Sequence, residues 1–208
     1  MQAAGGASLS TDSSPDGTDR TDPTGRTDLA GSDGASPDAA PGRRGLRHAP
    51  VLALVVGLVG LLVDLGSKQL AVHELSGRAP VPVLGELLQL RLIRNPGAAF
   101  SAGASMTPLI SAVAVVAAAV VLGYVRRVRH RGWAVALGLL LAGVVGNLLD
   151  RLFRPPGPLR GHVVDFLALP HWPIFNVADV CIDLAAVLLV VLLVRGVRLD
   201  GTRTEGRS

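Results

Sequence analysis

Four long apolar runs, separated by arginine-bearing connections, constrain this chain more than any other feature. They are VLALVVGLVGLLV over 51–63, MTPLISAVAVVAAAVVLGYV over 106–125, WAVALGLLLAGVVGNLL over 133–149 and VADVCIDLAAVLLVVLLV over 177–194. A hydrocarbon core about 30 Å thick takes roughly twenty apolar residues in helical form. Within it every backbone polar group must be satisfied inside the segment, which favours helices. The second run has the required length by itself. The first is only as long as a secretory leader core, and arginines precede it. It starts some fifty residues in, however, has no small-residue cleavage site close behind it, and continues through DLGSKQLAV. It therefore reads as an uncleaved span. The pattern predicts an all-α polytopic membrane protein with four transmembrane helices.

Composition agrees. Hydrophobic residues make up 49% of the 208 but aromatics only 3%, so a soluble core would have to be built almost wholly from Ala, Val and Leu. The formal charge of +4 and a pI near 10.5 raise nucleic acid as a partner. The basic residues instead sit in short clusters at the ends of apolar runs, which is a topology signal, and no nucleic acid is expected. The single cysteine, Cys181, excludes an internal disulfide. Residues 1–45 are Gly, Ser, Thr, Asp and Pro with almost no large apolar side chain, and are expected to form a disordered tail. A transmembrane domain is expected over 46–198 and a short second tail over 199–208.

Four spans return both termini to one side of the membrane. The arginine clusters at 43–47, 126–131 and 195–198 all fall there, and the positive-inside rule makes that side cytoplasmic. The connections 73–105 and 151–176 then lie outside, although Arg91, Arg94, Arg151, Arg154 and Arg160 dilute the bias. This topology gathers Asp64, Asp150, Asp165 and Asp179 at the outer boundary. Ionisable groups at membrane depth are costly and mark function or pairing.

Each acid also has a plainer reading. Asn176 and Asp179 have the spacing of a helix N-cap with an acid in the first turn. Asn147 and Asp150 repeat that spacing at the far end of a span, where capping does not explain it. Residues three apart share a helix face, so each Asn is expected beside its own Asp. Asp150 and Arg151 read either as an interface pair or as part of a site. Asp64 and Lys68, the only lysine, stand four apart as an intrahelical ion pair. Asn95 to Ser101, NPGAAFS, has the chemistry of a turn. Asp183 lies four residues after Asp179 and shares its face or pairs elsewhere. His162 and His171 lack further ligands at metal spacing, so no metal and no cofactor are expected. Asp165 lies between valines and Phe-Leu with no neighbouring cation. A carboxyl held against apolar surface near a second carboxylate has its pKa raised, and the two can share one proton. That is the state used by aspartic proteases, where one acid activates water and the other protonates the carbonyl.

These motifs resemble those of lipoprotein signal peptidase, also called signal peptidase II, a bacterial membrane aspartic peptidase. The resemblance covers about 50–196 and rests on five elements in order: DLGSK at 64–68, NPGAAFS at 95–101, GNLLDR at 146–151, VVDF at 163–166 and FNVAD at 175–179. It implies a small β-rich cradle and an amphipathic element on the outer face of the four helices. It implies cleavage of prolipoproteins on the amino side of a diacylglyceryl-modified cysteine, at the outer leaflet of the bacterial inner membrane, with prolipoproteins and membrane lipid as partners of a monomer. Asp165 and Asp179 map to the catalytic pair. Asn95, Asn147, Asp150, Arg151, Asn176, Asp64 and Lys68 become binding or supporting residues. Val180 and Ala185 depart from the family's usual hydroxyl residue and glycine, and the 151–164 loop looks longer than usual. A proton- or ion-coupled transporter is the alternative, but transporter sites lie near the midplane, often between repeats, and no repeat is evident. A structural subunit without chemistry is the third reading.

Overall fold

The computed structural model describes residues 48–97 and 106–202. The tail expected over 1–45 and the basic cluster at 43–47 lie outside the described residues. Four helices, α1 (Ala49–Leu75), α2 (Thr107–Val125), α3 (Arg131–Phe153) and α4 (Val177–Val194), are each long and apolar enough to cross a membrane. Their outward faces carry exposed Leu58, Leu62, Val116, Val120, Val187 and Val190. Such surface is unfavourable in water and suited to acyl chains. Pro50 and Pro108 stand in the first turns of α1 and α2, where the missing N–H costs nothing.

Helix α3 is the centre. It buries 44% of its apolar window, against 22%, 17% and 22% for α1, α2 and α4. Because lipid tails are as apolar as leucine, helices associate in a bilayer through close packing of small residues. The buried positions Ala134, Gly138, Ala142, Gly143 and Gly146 provide it on α3, and Ala49, Ala53 and Gly57 provide it on α1. A Cβ at Gly138 would stand 2.5 Å from Ala53 O and 2.9 Å from Val56 Cβ. On the other side, Gly143 lies directly against Ala178 O and Ile182 of α4.

A three-stranded antiparallel sheet, ordered β1 (Val81–Leu84), β2 (Leu88–Asn95) and β3 (Val163–Ala168), caps the end of the bundle where α1 and α3 finish and α4 begins. Ile93 pairs with Asp165 and Asn95 with Val163. Val164 and Phe166 pack with Ala71 and Leu75 of α1. The expected β-rich cradle is therefore present. No separate amphipathic helix stands among the described residues, and 98–105 lie outside them.

At the opposite end Ala49, Val125, Val128, Ala134 and Leu137 form a second apolar cluster. The chain after α4 folds back onto the α2–α3 turn: Arg129 and His130 N–H donate to Leu199 O at 3.0 and 3.3 Å, and Trp133 Nε1 donates to Val197 O at 2.9 Å. The clusters 126–131 and 195–198 thus share one end of the bundle, away from the sheet. Helix α3 is longer than its apolar run, extending to Phe153, so Asp150 and Arg151 lie inside it and do not terminate it.

The glycine contacts make a prediction. Gly138→Ala should cost about 1–3 kcal/mol of stability, since backbone must move. Gly123→Ala on α2, where an added Cβ meets nothing within 4 Å, should leave the thermal unfolding midpoint in detergent micelles unchanged. Equal midpoints for both variants would contradict this packing.

Candidate active site

Strand alternation decides which way Asp165 points. Its neighbours Val164 and Phe166 enter the apolar cluster, so the carboxyl turns to the other face, beside Ile93 of β2. Two residues along β2, Asn95 shares that face. Asn95 Nδ2 donates to Asp165 Oδ2 at 2.9 Å, while Asn95 Oδ1 accepts Gly97 N–H at 2.9 Å. The backbone bond orients the amide.

The second carboxylate arrives with α4. Phe175 bridges to Leu167 and fixes the entry of the helix. Asn176 is the N-cap of a reciprocal capping box: its Oδ1 accepts Asp179 N–H at 3.1 Å, and Asp179 Oδ2 accepts Asn176 N–H at 3.1 Å. The capping reading of this pair is correct, and it leaves the Asn176 amide nitrogen free for other work. That nitrogen donates to Asp165 Oδ1 at 2.6 Å and to Asn147 Oδ1 at 3.2 Å. One residue therefore bonds both acids.

Asn147 corrects an expectation. It does not orient its own neighbour Asp150; its Nδ2 donates across to Asp179 Oδ1 at 2.8 Å. Asp150 is engaged elsewhere, with Lys68 at 3.0 Å, with Arg154 Nε, and with the Val164 N–H at 3.1 Å. Arg151 is likewise not its ion-pair partner. The Arg151 guanidinium lies against Gly97, with Nη1 enclosed and without a hydrogen-bond partner among the described residues. Its charge acts on Asp165, Asp150 and Asp179. Gly97 has φ +113°, which favours glycine, and its open side lies against the Arg151 guanidinium.

The Asp64–Lys68 pair is as expected, at 2.8 Å, and both side chains are fully buried. Asp64 Oδ1 also accepts Ala178 N–H at 2.8 Å, and Gly146 leaves room for the carboxylate between α1 and α3. All nine residues singled out from the sequence meet at this end of the bundle. Asp183 does not join them: it is exposed on α4, and none of the described residues pairs with it. The residue missed was Arg154; Gly97 belongs to the turn expected over 95–101, and its φ is +113°. Arg154 stands four residues after Asp150, a helical spacing that becomes visible once α3 is extended past its apolar run.

Burial pushes the Asp165 carboxyl up to about 6, with the charge of Asp179 acting the same way; the amides of Asn95 and Asn176 and the charge of Lys68 oppose it. Only 3% of Asp165 is exposed. Two carboxyl groups on shared donors, one of them titrating near 6, can exchange protons with a bound water and an adjacent carbonyl.

Comparison with known proteins adds the decisive observation. The family model described as Signal peptidase (SPase) II matches residues 56–195. The chain belongs to the signal peptidase II family. The lipoprotein signal peptidase of Rhodococcus jostii (strain RHA1) is 45% identical over 188 residues, covering 88% of this chain and 93% of the relative. That of Streptomyces coelicolor is 41% identical over 187 residues, 84% and 91%. That of Mycobacterium tuberculosis (strain ATCC 25618 / H37Rv) is 42% identical over 186 residues, 89% and 88%. A solved bacterial membrane enzyme has the same fold, with TM-score 0.61 at 22% identity over 69% of this chain and 92% of that one. The signal peptidase II match contains all nine site residues and leaves out 1–45.

The state of Asp165 sets a pH dependence of stability. Its folded pKa is about 6 against 3.8 for the free group. The folded protein therefore binds this proton more tightly, and the resulting cost, about 3 kcal/mol, is full above pH 6 and disappears as pH falls toward 4. Relative to Asp165→Asn, wild-type stability should rise as pH is lowered from 8 to 5. Thermal unfolding in micelles measures it, and a difference that stays constant across that window would contradict a buried, titrating Asp165.

Proposed function

We propose that this protein is a membrane aspartic endopeptidase that removes the signal peptide from prolipoproteins, cutting on the amino side of the diacylglyceryl-modified cysteine. The observation that carries the reading is Asn176, which donates to Asp165 Oδ1 through its side chain and to Asp179 Oδ2 through its backbone. Two carboxylates are thereby held on one residue, at the end of a bundle of four membrane-spanning helices. Family membership supplies the substrate class.

In this reading Asp165 begins with the proton and Asp179 without it. Water attacks the scissile carbonyl carbon, its proton passes to Asp179, and the proton of Asp165 passes to the carbonyl oxygen. The tetrahedral diol then collapses. The carbon–nitrogen bond breaks, Asp179 returns a proton to the departing amine, and Asp165 recovers one from a diol hydroxyl as the new carboxylic acid forms. Arg151 beside the pair offsets the negative charge of the two acids. Asp150 and Asp64 are support, since both are committed to ion pairs and backbone donors within the bundle.

The location follows from the substrate. A diacylglyceryl group holds its cysteine at the bilayer surface, so the water must be activated there. We place the sheet end on the outer side and the arginine clusters on the cytoplasmic side, with both termini. The acids lie at one end of the bundle and not at its middle, which favours this reading over a transporter.

Purified protein should cleave a diacylglyceryl-modified prolipoprotein. Asp165→Asn and Asp179→Asn should each reduce kcat roughly a hundred- to ten-thousand-fold while the protein stays folded. Asp150→Asn should lower stability by about 3–5 kcal/mol and leave the folded fraction able to cut. Normal cleavage by Asp165→Asn would refute the assignment of the pair.

A further inference from the structure

Lys68 is the chain's only lysine and is fully buried. Its ammonium stands 2.8 Å from Asp64 Oδ2, 3.0 Å from Asp150 Oδ2 and 3.0 Å from Asn147 Oδ1. The two carboxylates account for its charge. The third contact, to a neutral amide, is not needed for ion pairing.

An ammonium carries donors and no acceptor. An asparagine amide offers oxygen on one side and NH2 on the other, nearly equal in shape, so its neighbours decide which way it faces. Against Lys68 only the oxygen is tolerated, and Asn176 Nδ2 donates to the same atom at 3.2 Å. The Asn147 NH2 is therefore left facing Asp179 Oδ1, at 2.8 Å. Turned over, the amide would set its oxygen against a carboxylate oxygen and its NH2 against an ammonium, and both contacts would repel.

We propose that Lys68 is a positioning residue of the aspartate pair: by donating to Asn147 Oδ1 it locks that amide with its NH2 toward Asp179. The inference rests on the peptidase reading above and adds to it a residue that contacts neither acid of the pair. With the lock in place, Asp179 receives Asn147 Nδ2 on Oδ1 and Asn176 N–H on Oδ2, so the plane of the carboxylate is set before substrate arrives. Without it, the amide oxygen keeps only the longer Asn176 contact, and the donor to Asp179 is held less firmly. The rate of the chemical step then falls, and substrate binding does not.

The test uses the full chain in detergent with a diacylglyceryl-modified prolipoprotein. Lys68→Met alone would strand a buried carboxylate, so it is combined with Asp64→Asn. That double variant is charge-balanced, keeps an oxygen for the Ala178 N–H, and leaves Asp150 its Arg154 partner. Its folding is checked by thermal unfolding. The expected result is kcat lowered roughly a hundredfold, the size seen when one aligned donor is lost, with KM unchanged. Asn147→Leu should show the same split. Combining all three substitutions should lose no more than either set alone, because the lysine acts through the amide. Wild-type kcat in the folded double variant, or losses that multiply in the combination, overturns the inference. Should the double variant fail to fold, Lys68→Leu with Asp64→Asn takes its place and is read in the same way; wild-type kcat in Asn147→Leu, which leaves both ion pairs of Lys68 intact, overturns the lock independently. A wild type that does not cleave removes the peptidase reading and this role together. A wild type that cleaves beside a full-rate double variant removes this role alone.

Discussion

A single ammonium buried between two carboxylates holds the working end of this protein together. None of the three charges is tolerable alone in so apolar a bundle, because an unpaired buried charge costs far more than the protein's net stability. Each therefore requires the others in place. Asp64 and Lys68 come from α1 and Asp150 from α3, so their meeting sets the register of those two helices. The remaining oxygens extend the constraint: Asp64 takes the Ala178 N–H at the start of α4, and Asp150 takes the Val164 N–H in β3. Two helices, a strand and a helix terminus are located by one cluster.

The layer proposed to carry the chemistry sits directly on it. Asp165 and Asp179 follow Val164 and Ala178 in the chain, so the residues whose N–H groups donate to the structural carboxylates precede those to which we assign the chemistry. An ion cluster of this kind gives little net stability, but it is intolerant of displacement. In the proposed reaction, where two acids share protons with a water, that intolerance is useful, since small errors of alignment cost rate steeply. Below the site, Gly138, Gly143 and Gly146 bring backbones close enough for the polar groups to reach each other.

Much of this was legible beforehand. The spans were, because twenty contiguous apolar residues have one stable fate in a bilayer. The Asp64–Lys68 pair was, because four residues on a helix is a fixed distance. The Asn176 cap was, because capping is local. Other features were not. The apolar run of α3 stops at Leu149 while the helix continues to Phe153, since the added turn is stabilised by Asp150 meeting Lys68 and Arg154 and not by hydrophobicity. Asn147 serves Asp179 and not its neighbour Asp150 because Asp150, three residues away, is already saturated by Lys68 of α1, Arg154 and the Val164 N–H of β3. That the Arg151 guanidinium lies against Gly97 is invisible in the sequence, since only the fold brings residues 54 apart in the chain together.

By itself the sequence determined the four helices, the positions at which carboxylates and amides enter the apolar bundle, and through its motif order the family. These depend on sums over neighbouring residues: transfer free energy along a span, helical spacing, a cap. Only the tertiary structure decided which donor serves which acid. Lys68 reaches Asn147 across 79 residues, Asn95 reaches Asp165 across 70, and Asn147 reaches Asp179 across 32. A hydrogen bond is short and directional, and an asparagine satisfies either kind of partner, so its choice exists only once the helices and the sheet have brought the candidates within reach.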